Sequence, residues 1–164
     1  MSRSVKFGPV GPSFGVPVQA LFEATQSFHK RGGAFVTAAA SGQMGVTLAA
    51  DTVIFGWWNV PGFSPGATEV TGDLFVTSGT AGTRYPGVIP GDPGLVFRMP
   101  TDEALTATHV GQNADIVVTT NQQFADLGTT TTDVLRVVGS QRLIDEGLSE
   151  ALVQIDAAAL QSDT

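Results

Sequence analysis

The chain lacks several of the residue types on which common protein chemistries depend. It has no cysteine, which excludes disulfides, thiolate metal sites and cysteine nucleophiles. Charged residues make up only 14% of its 164 residues, against roughly 25% in typical globular domains. No apolar run reaches the roughly 18 residues of a membrane-spanning helix, and we expect no signal peptide. The length predicts one domain, and the low charge suits either a surface partly covered in an assembly or a compact monomer.

Motifs for catalysis and metal binding are scarce as well. Gly11–Gly15 matches the G-x-S-x-G pattern by letter, but the prolines around it do not suit the strand and helix that this motif requires. The two histidines, His29 and His109, have no ligand-like spacing. Neither lysine follows the glycine of a phosphate-binding loop. We predict a non-enzyme with no catalytic residue, metal ligand or cofactor. A carboxylate pair in a cleft, as in glycosidases, remains an alternative.

What the chain does contain is a series of short β-branched runs separated by turn residues. Three of these runs are Asp115–Thr120, Asp133–Gly139 and Ala151–Asp156, and 20 glycines and 9 prolines supply the breaks. Residues branched at Cβ pack well on a pleated surface and are enriched in strands. The pattern predicts an all-β domain, either a small β-barrel or a β-sandwich, of about eight short strands.

The N-terminal part of the chain has a different composition. Residues 5–18 contain three prolines and three glycines, which argues against a helix or a central strand. The segment is nevertheless too apolar for a flexible linker, so it should lie against its own domain or against a neighbouring subunit. We predict an extended Gly/Pro-rich arm at residues 1–27 and an all-β body at residues 28–164.

Charge is divided unevenly between the two ends of the chain. Residues 1–31 carry four basic residues and one acid, for a net charge of +3, whereas residues 32–164 carry four arginines and fourteen acids, for −10. A basic leader can steer toward an acidic partner surface, although solubility alone would explain the acidic body equally well. The acidic body would repel phosphates, which argues against a nucleic-acid partner.

Surface contacts are expected from the arm and from one loop. The Gly/Pro-rich stretch Ser78–Pro93 indicates a long loop. The candidate contact residues are Lys6, Phe7, Phe14, Arg84 and Tyr85.

The pair Trp57 and Trp58 lies in the most apolar predicted strand, Thr52–Val60. Neighbouring side chains of a strand point to opposite faces. We therefore expect one indole in the core and the other under the arm or at an interface.

Four segments, taken in order, resemble the small head decoration (cement) proteins of tailed bacteriophages. Together they cover about residues 28–160. They are Phe28–Val36, Thr52–Trp57, Leu95–Met99 followed by Val110–Val117, and Val134–Gly139 with Ala151–Asp156.

The resemblance implies a β-tulip-like body without enzymatic activity, located on the capsid exterior after synthesis in the host cytoplasm. Its implied partners are the major capsid protein and further copies of itself, as a homotrimer on the lattice. The arm and the Gly/Pro loop depart from the family's pattern. Two alternatives stay open: another virion component, such as a tail or fibre module, and a carbohydrate-binding β-domain.

Overall fold

The computed structural model describes residues 7–11, 16–29, 33–59, 68–71, 74–128 and 130–161. Across these ranges the chain forms fourteen strands, one short α-helix and two 3-10 turns. The all-β prediction is confirmed. The described chain has more strands than the predicted eight, and five of the fourteen are only three residues long, which makes them hard to recognise from sequence. The strands are β1 Gly8–Val10, β2 Val18–Phe22, β3 Ser27–His29, β4 Ala34–Ala38, β5 Met44–Val46, β6 Gly56–Trp58, β7 Thr68–Thr71, β8 Leu74–Val76, β9 Thr83–Pro90, β10 Val96–Pro100, β11 Asn113–Thr119, β12 Gln122–Asp126, β13 Leu135–Val138 and β14 Glu150–Ile155; helix α1 is Gln141–Asp145, and the 3-10 turns are Ala107–His109 and Ala157–Ala159.

Five strands close into a small barrel in the order β2-β5-β4-β6-β9. All neighbours are antiparallel except β2 and β5, which meet as a parallel pair at Phe22 and Met44. The barrel interior is filled mainly by aromatic rings, and the centroids of Phe28 and Phe22 lie 4.5 and 4.6 Å from that of Trp58. This barrel core consists of Ala20, Phe22, Phe28, Ala34, Val36, Met44, Trp58, Tyr85 and Val88.

Six strands form a second sheet in the order β1-β10-β14-β13-β11-β12. The sheet curls until Thr101, directly after β10, makes a parallel bridge to Ala125 of β12. Its core is larger and mostly aliphatic, and we call it the sheet core. It includes Phe97, Met99, Leu105, Ile116, Leu135, Val137, Val153 and Ile155. Three further strands form a separate small sheet in the order β3-β8-β7.

Strands β4 and β6 belong to both cores. Phe35 pairs with Trp57 and both side chains enter the sheet core, whereas the neighbouring Trp58 points into the barrel. The expected alternation is confirmed, because successive side chains of a strand face opposite sides. The second indole, expected under the arm or at an interface, lies in the barrel core: Trp58 is fully buried, packs against Phe22 of the predicted arm, and its Nε1 donates to the carbonyl of Pro86 at 3.0 Å.

Two glutamine side chains fasten the units together through the backbone of β4. The buried amide of Gln123 accepts from Phe35 N (2.7 Å) and donates to Phe35 O (3.0 Å) and to Thr47 O (2.8 Å). Gln161 makes the same two-point contact with Ala38, at 2.9 and 2.8 Å. Each amide thus takes the place of a neighbouring strand and satisfies backbone groups that would be costly to leave unpaired.

Candidate functional site

The candidate site is built around β1, the first strand of the described chain. It lies at the edge of the six-stranded sheet and pairs antiparallel with β10, with Val10 opposite Val96. Phe7, just before it, is only 8% exposed. Gly8, the first residue of the strand, and Gly11, directly after it, have φ values of +132° and +125°, which L side chains rarely adopt. This part of the predicted arm therefore packs on its own domain.

The arm contributes a second strand to the body. β2 closes the barrel by pairing with β9, and its Phe22 is fully buried. Residues 18–22 are thus part of the barrel wall. Where the arm ends and the body begins, predicted at residue 27, stays a prediction.

A groove of about 850 Å³ lies beside β1. Its apolar wall includes Leu143 of α1 and Leu152 of β14. Two ion pairs line it: Arg98 Nε donates to Glu150 at 2.8 Å, and Arg142 Nε donates to Glu146 at 2.8 Å. The side chain of Glu150 is only 15% exposed. Because each arginine is paired with a carboxylate, these four side chains carry no net charge. The leucine wall and the absence of an unpaired arginine among them suit a polypeptide segment better than a free anion.

The outer edge of β1 is a poor template for further strands. Pro9 lies opposite Phe97, and it has no N–H to enter a reciprocal hydrogen-bonded pair. Gly8 and Val10 must therefore supply the bonds to β10, while the backbone of Pro9 faces outward with a carbonyl alone. A proline on an edge strand blocks edge-to-edge pairing.

The structure describes three of the five predicted contact residues, Phe7, Arg84 and Tyr85. Lys6 and Phe14 lie outside the described residues. Phe7 is buried against its own domain, and Arg84 is exposed on β9.

The prediction of a loop over Ser78–Pro93 is wrong, because Thr83–Pro90 forms β9 in the barrel wall. Tyr85 of this strand is fully buried, and its hydroxyl accepts a hydrogen bond from Ser78 N at 2.7 Å. Its expected place at a surface contact is corrected accordingly: the ring faces the barrel interior, where it packs against Phe22 with centroids 5.5 Å apart.

A second, shallower groove of about 540 Å³ runs beside β2. Val18 and Leu21 line this groove and are 39% and 36% exposed, and Val16, just before β2, is 82% exposed. Exposed apolar residues are thus concentrated along the stretch that leads from β1 into the barrel. Four of the six large apolar side chains that are exposed in the described ranges lie on this stretch, which makes it a candidate contact segment.

Asp115 is the most heavily bonded buried carboxylate among the described acids. It is 4% exposed and accepts from the backbone N–H groups of Thr131 (2.8 Å), Thr132 (3.0 Å) and Asp133 (2.8 Å). Burial opposes ionisation, but the backbone donors outweigh it, so the pKa of Asp115 lies below its usual value. The carboxylate therefore organises the loop before β13.

No cluster of three or more His, Asp or Glu side chains that could hold a metal occurs in the described ranges. Over the same ranges, no helix has the length and apolar character required to cross a bilayer.

Comparison with protein-family models, curated proteins and solved structures finds no match to this chain.

Proposed function

We propose that this protein binds the outer surface of a bacteriophage capsid and stabilises the lattice. The observation that carries the proposal is the N-terminal segment: it is apolar, follows a basic leader, and reaches the body's edge through only three residue pairs of β1. The exposed apolar residues of this segment, such as Val10 and Val16, can contact a neighbour while Phe22 stays in the barrel core. The resemblance of residues 28–160 to head decoration proteins points in the same direction.

The body suits a load-bearing role. Its two cores share β4 and β6, and Gln123 and Gln161 bind the backbone of β4 from separate segments of the chain. Close-packed interiors have low compressibility and transmit strain. A body of this construction can hold neighbouring capsid subunits at fixed spacing while the shell is under internal pressure.

The exposed apolar residues of the N-terminal stretch supply candidate contacts. Val10 is 47% exposed and Val16 is 82% exposed. Contacts of this size are weak one at a time, but a copy that bridges several capsid subunits gains avidity from the lattice. The partners of the proposal are the major capsid protein and further copies of this chain, arranged as a trimer.

A carbohydrate-binding role is less well supported. The chain's two tryptophans and its one tyrosine are all at most 2% exposed, so they cannot form the stacking platform that sugar-binding modules use. A tail or fibre location is an outcome that the following experiment separates.

The test uses capsids assembled from the major capsid protein of the same genome, incubated with the purified protein and sedimented. We expect saturable binding to heads and none to tails. The double variant Val10→Ser/Val16→Ser should show reduced occupancy at equal concentration. Its matched control, Leu48→Ser/Val110→Ser, changes two residues that are 55% and 40% exposed elsewhere on the body and should bind like wild type. Absence of binding to heads would refute the proposal, and equal loss in both variants would refute the role of the N-terminal stretch.

A further inference from the structure

We propose that β1 is an exchangeable strand, which leaves its own β10 and pairs with β10 of a second copy of this chain. The inference concerns the free protein and does not depend on capsid binding. It follows from the position of β1, the tether behind it and the shape of its outer edge.

The site for β1 on β10 is already defined by the chain itself. β1 pairs with β10 in register, Gly8 with Arg98 and Val10 with Val96, and Phe7 is buried beside the groove. The identical segment of a second copy would find the same partners. Exchange of an identical element therefore replaces each contact with an equal one. The equilibrium between the unexchanged and exchanged forms then depends on the tether and on the free-energy cost of association.

The tether separates β1 from the rest of its own chain. β1 lies in the six-stranded sheet, whereas the next strand, β2, lies in the barrel. Residues 11–17 join them, with glycine at 11 and 15 and proline at 12 and 17. Seven residues span at most about 25 Å. This length sets how far from its own β2 a strand β1 can reach on a second copy.

β1 is also weakly attached compared with its neighbours. It makes three residue pairs on one side, whereas β10 is held on its other side by four pairs with β14. Strands of three residues at a sheet edge open more readily than interior strands. Leaving costs β10 one edge partner and uncovers the buried Phe7.

Pro9 limits growth at the edge of the sheet. Because its backbone offers no N–H to the outer edge, a copy that receives β1 is a poor template for further strands beyond it. Reciprocal exchange between two copies gives a closed dimer.

The test uses engineered cysteines, for which the cysteine-free chain provides a clean background. Val10→Cys and Val96→Cys are made in separate chains of different mass, mixed, unfolded, refolded together and gently oxidised. Opposite residues of an antiparallel pair lie within the Cα separation that a disulfide accepts. A disulfide that joins the Val10→Cys chain to the Val96→Cys chain, identified by peptide mass spectrometry, reports exchange directly.

The matched control is Arg136→Cys mixed with Gln154→Cys, a pair between the interior strands β13 and β14. We expect the mixed 10–96 disulfide at several-fold the level of the mixed 136–154 disulfide, increasing with protein concentration. The double variant Val10→Cys/Val96→Cys in one chain shows whether the geometry permits closure. Closure within single chains only, with no mixed product above the control, overturns exchange. Failure of the double variant to close in any form also overturns it, because β1 would then not occupy β10.

Discussion

The barrel core and the sheet core are filled by different kinds of side chain. The barrel is narrow and is filled by four large rings, Phe22, Phe28, Trp58 and Tyr85. The sheet core is broader and contains mostly Leu, Ile, Val and Ala, with its own rings gathered where it meets the barrel. Phe35, Trp57 and Phe97 make that contact, with centroids 4.8 to 5.6 Å apart.

Because β4 and β6 contribute side chains to both cores, we expect substitutions on these two strands to destabilise the protein most. Changes on β4 or β6 act on both cores, whereas changes elsewhere act on one. The following four predictions test this comparison, beginning with the shared strands.

The largest effect is expected at Gly56, on shared strand β6. A Cβ at this position would overlap the backbone carbonyl oxygen of Ile89 on β9, which cannot move without breaking the barrel wall. We expect Gly56→Ala to lower the free energy of unfolding by about 4 kcal/mol or more. Trp57→Phe and Trp58→Phe backgrounds each leave one tryptophan, whose fluorescence follows the barrel core or the sheet core, and both should report the loss at the same denaturant concentration.

The control is Gly79→Ala, because nothing lies within 4 Å of a Cβ added there. It should change the free energy of unfolding by no more than about 0.5 kcal/mol. Separate transitions for the two tryptophans in Gly56→Ala would show that the cores are independent.

The next effect is expected where Gln123 fastens β12 to β4. Gln123→Met keeps the side-chain length but leaves Phe35 N and Thr47 O without this partner, while Phe35 O keeps its bond from Thr47 N at 3.0 Å. Each unpaired buried group costs roughly 1–3 kcal/mol, so we expect a loss of about 3 kcal/mol in urea unfolding. Gln161→Met removes two bonds at a partly exposed position and should cost about half as much. Equal costs would mean that burial does not distinguish the two contacts.

Sequence patterns predicted the fold class but not the way in which the strands close. β-Branched runs between turn residues indicate strands, and alternation correctly separated Trp57 from Trp58. Barrel closure depends on short strands paired across long stretches of chain, for which local patterns carry little information. Nothing around Gln123 or Gln161 indicates that their amides bind β4.

The candidate site was only partly predictable for a related reason. The proline and glycine content of residues 5–18 indicated an extended segment, and its apolar character indicated that it packs against something. A loop was predicted from Pro86, Gly87 and Pro90, yet all three lie in β9. Gly87 adopts a φ of +94°, which lets the strand bend there. Tyr85 was therefore assigned to the surface, although it belongs to the barrel interior.

A smaller, pH-dependent effect is expected at Asp115, in the sheet-core unit. Its pKa is lower in the folded protein than in the unfolded chain, where it is about 3.9. Its ionised form therefore adds stability above about pH 4, and this contribution is lost as the pH falls through the folded-state pKa. Asp115→Asn should lower the free energy of unfolding by about 1–2 kcal/mol at pH 7, and the difference from wild type should shrink on acidification.

Asp92→Asn is the control for this titration, because that exposed carboxylate accepts one backbone bond, from Gly94. Its effect should be about 0.5 kcal/mol or less. A difference between wild type and Asp115→Asn that grows on acidification would contradict the proposed role of the carboxylate.

The smallest effect, a gain, is expected at the β11–β12 turn. Thr120 and Asn121 both have positive φ, +51° and +60°, as in a two-residue hairpin that favours Asn and Gly. A β-branched residue is strained there, so Thr120→Asn should raise the free energy of unfolding by about 0.5–1 kcal/mol. Thr119→Asn, on the strand beside it, should give no gain in the same thermal melts.

The most direct test of the proposed function is cryo-electron microscopy of heads assembled without this protein and then incubated with it. The account predicts additional density at regular positions on the outer surface of the shell, into which the two-core body fits with β1 facing a neighbouring subunit. Bare heads at saturating protein concentration, or density on tails alone, would contradict it.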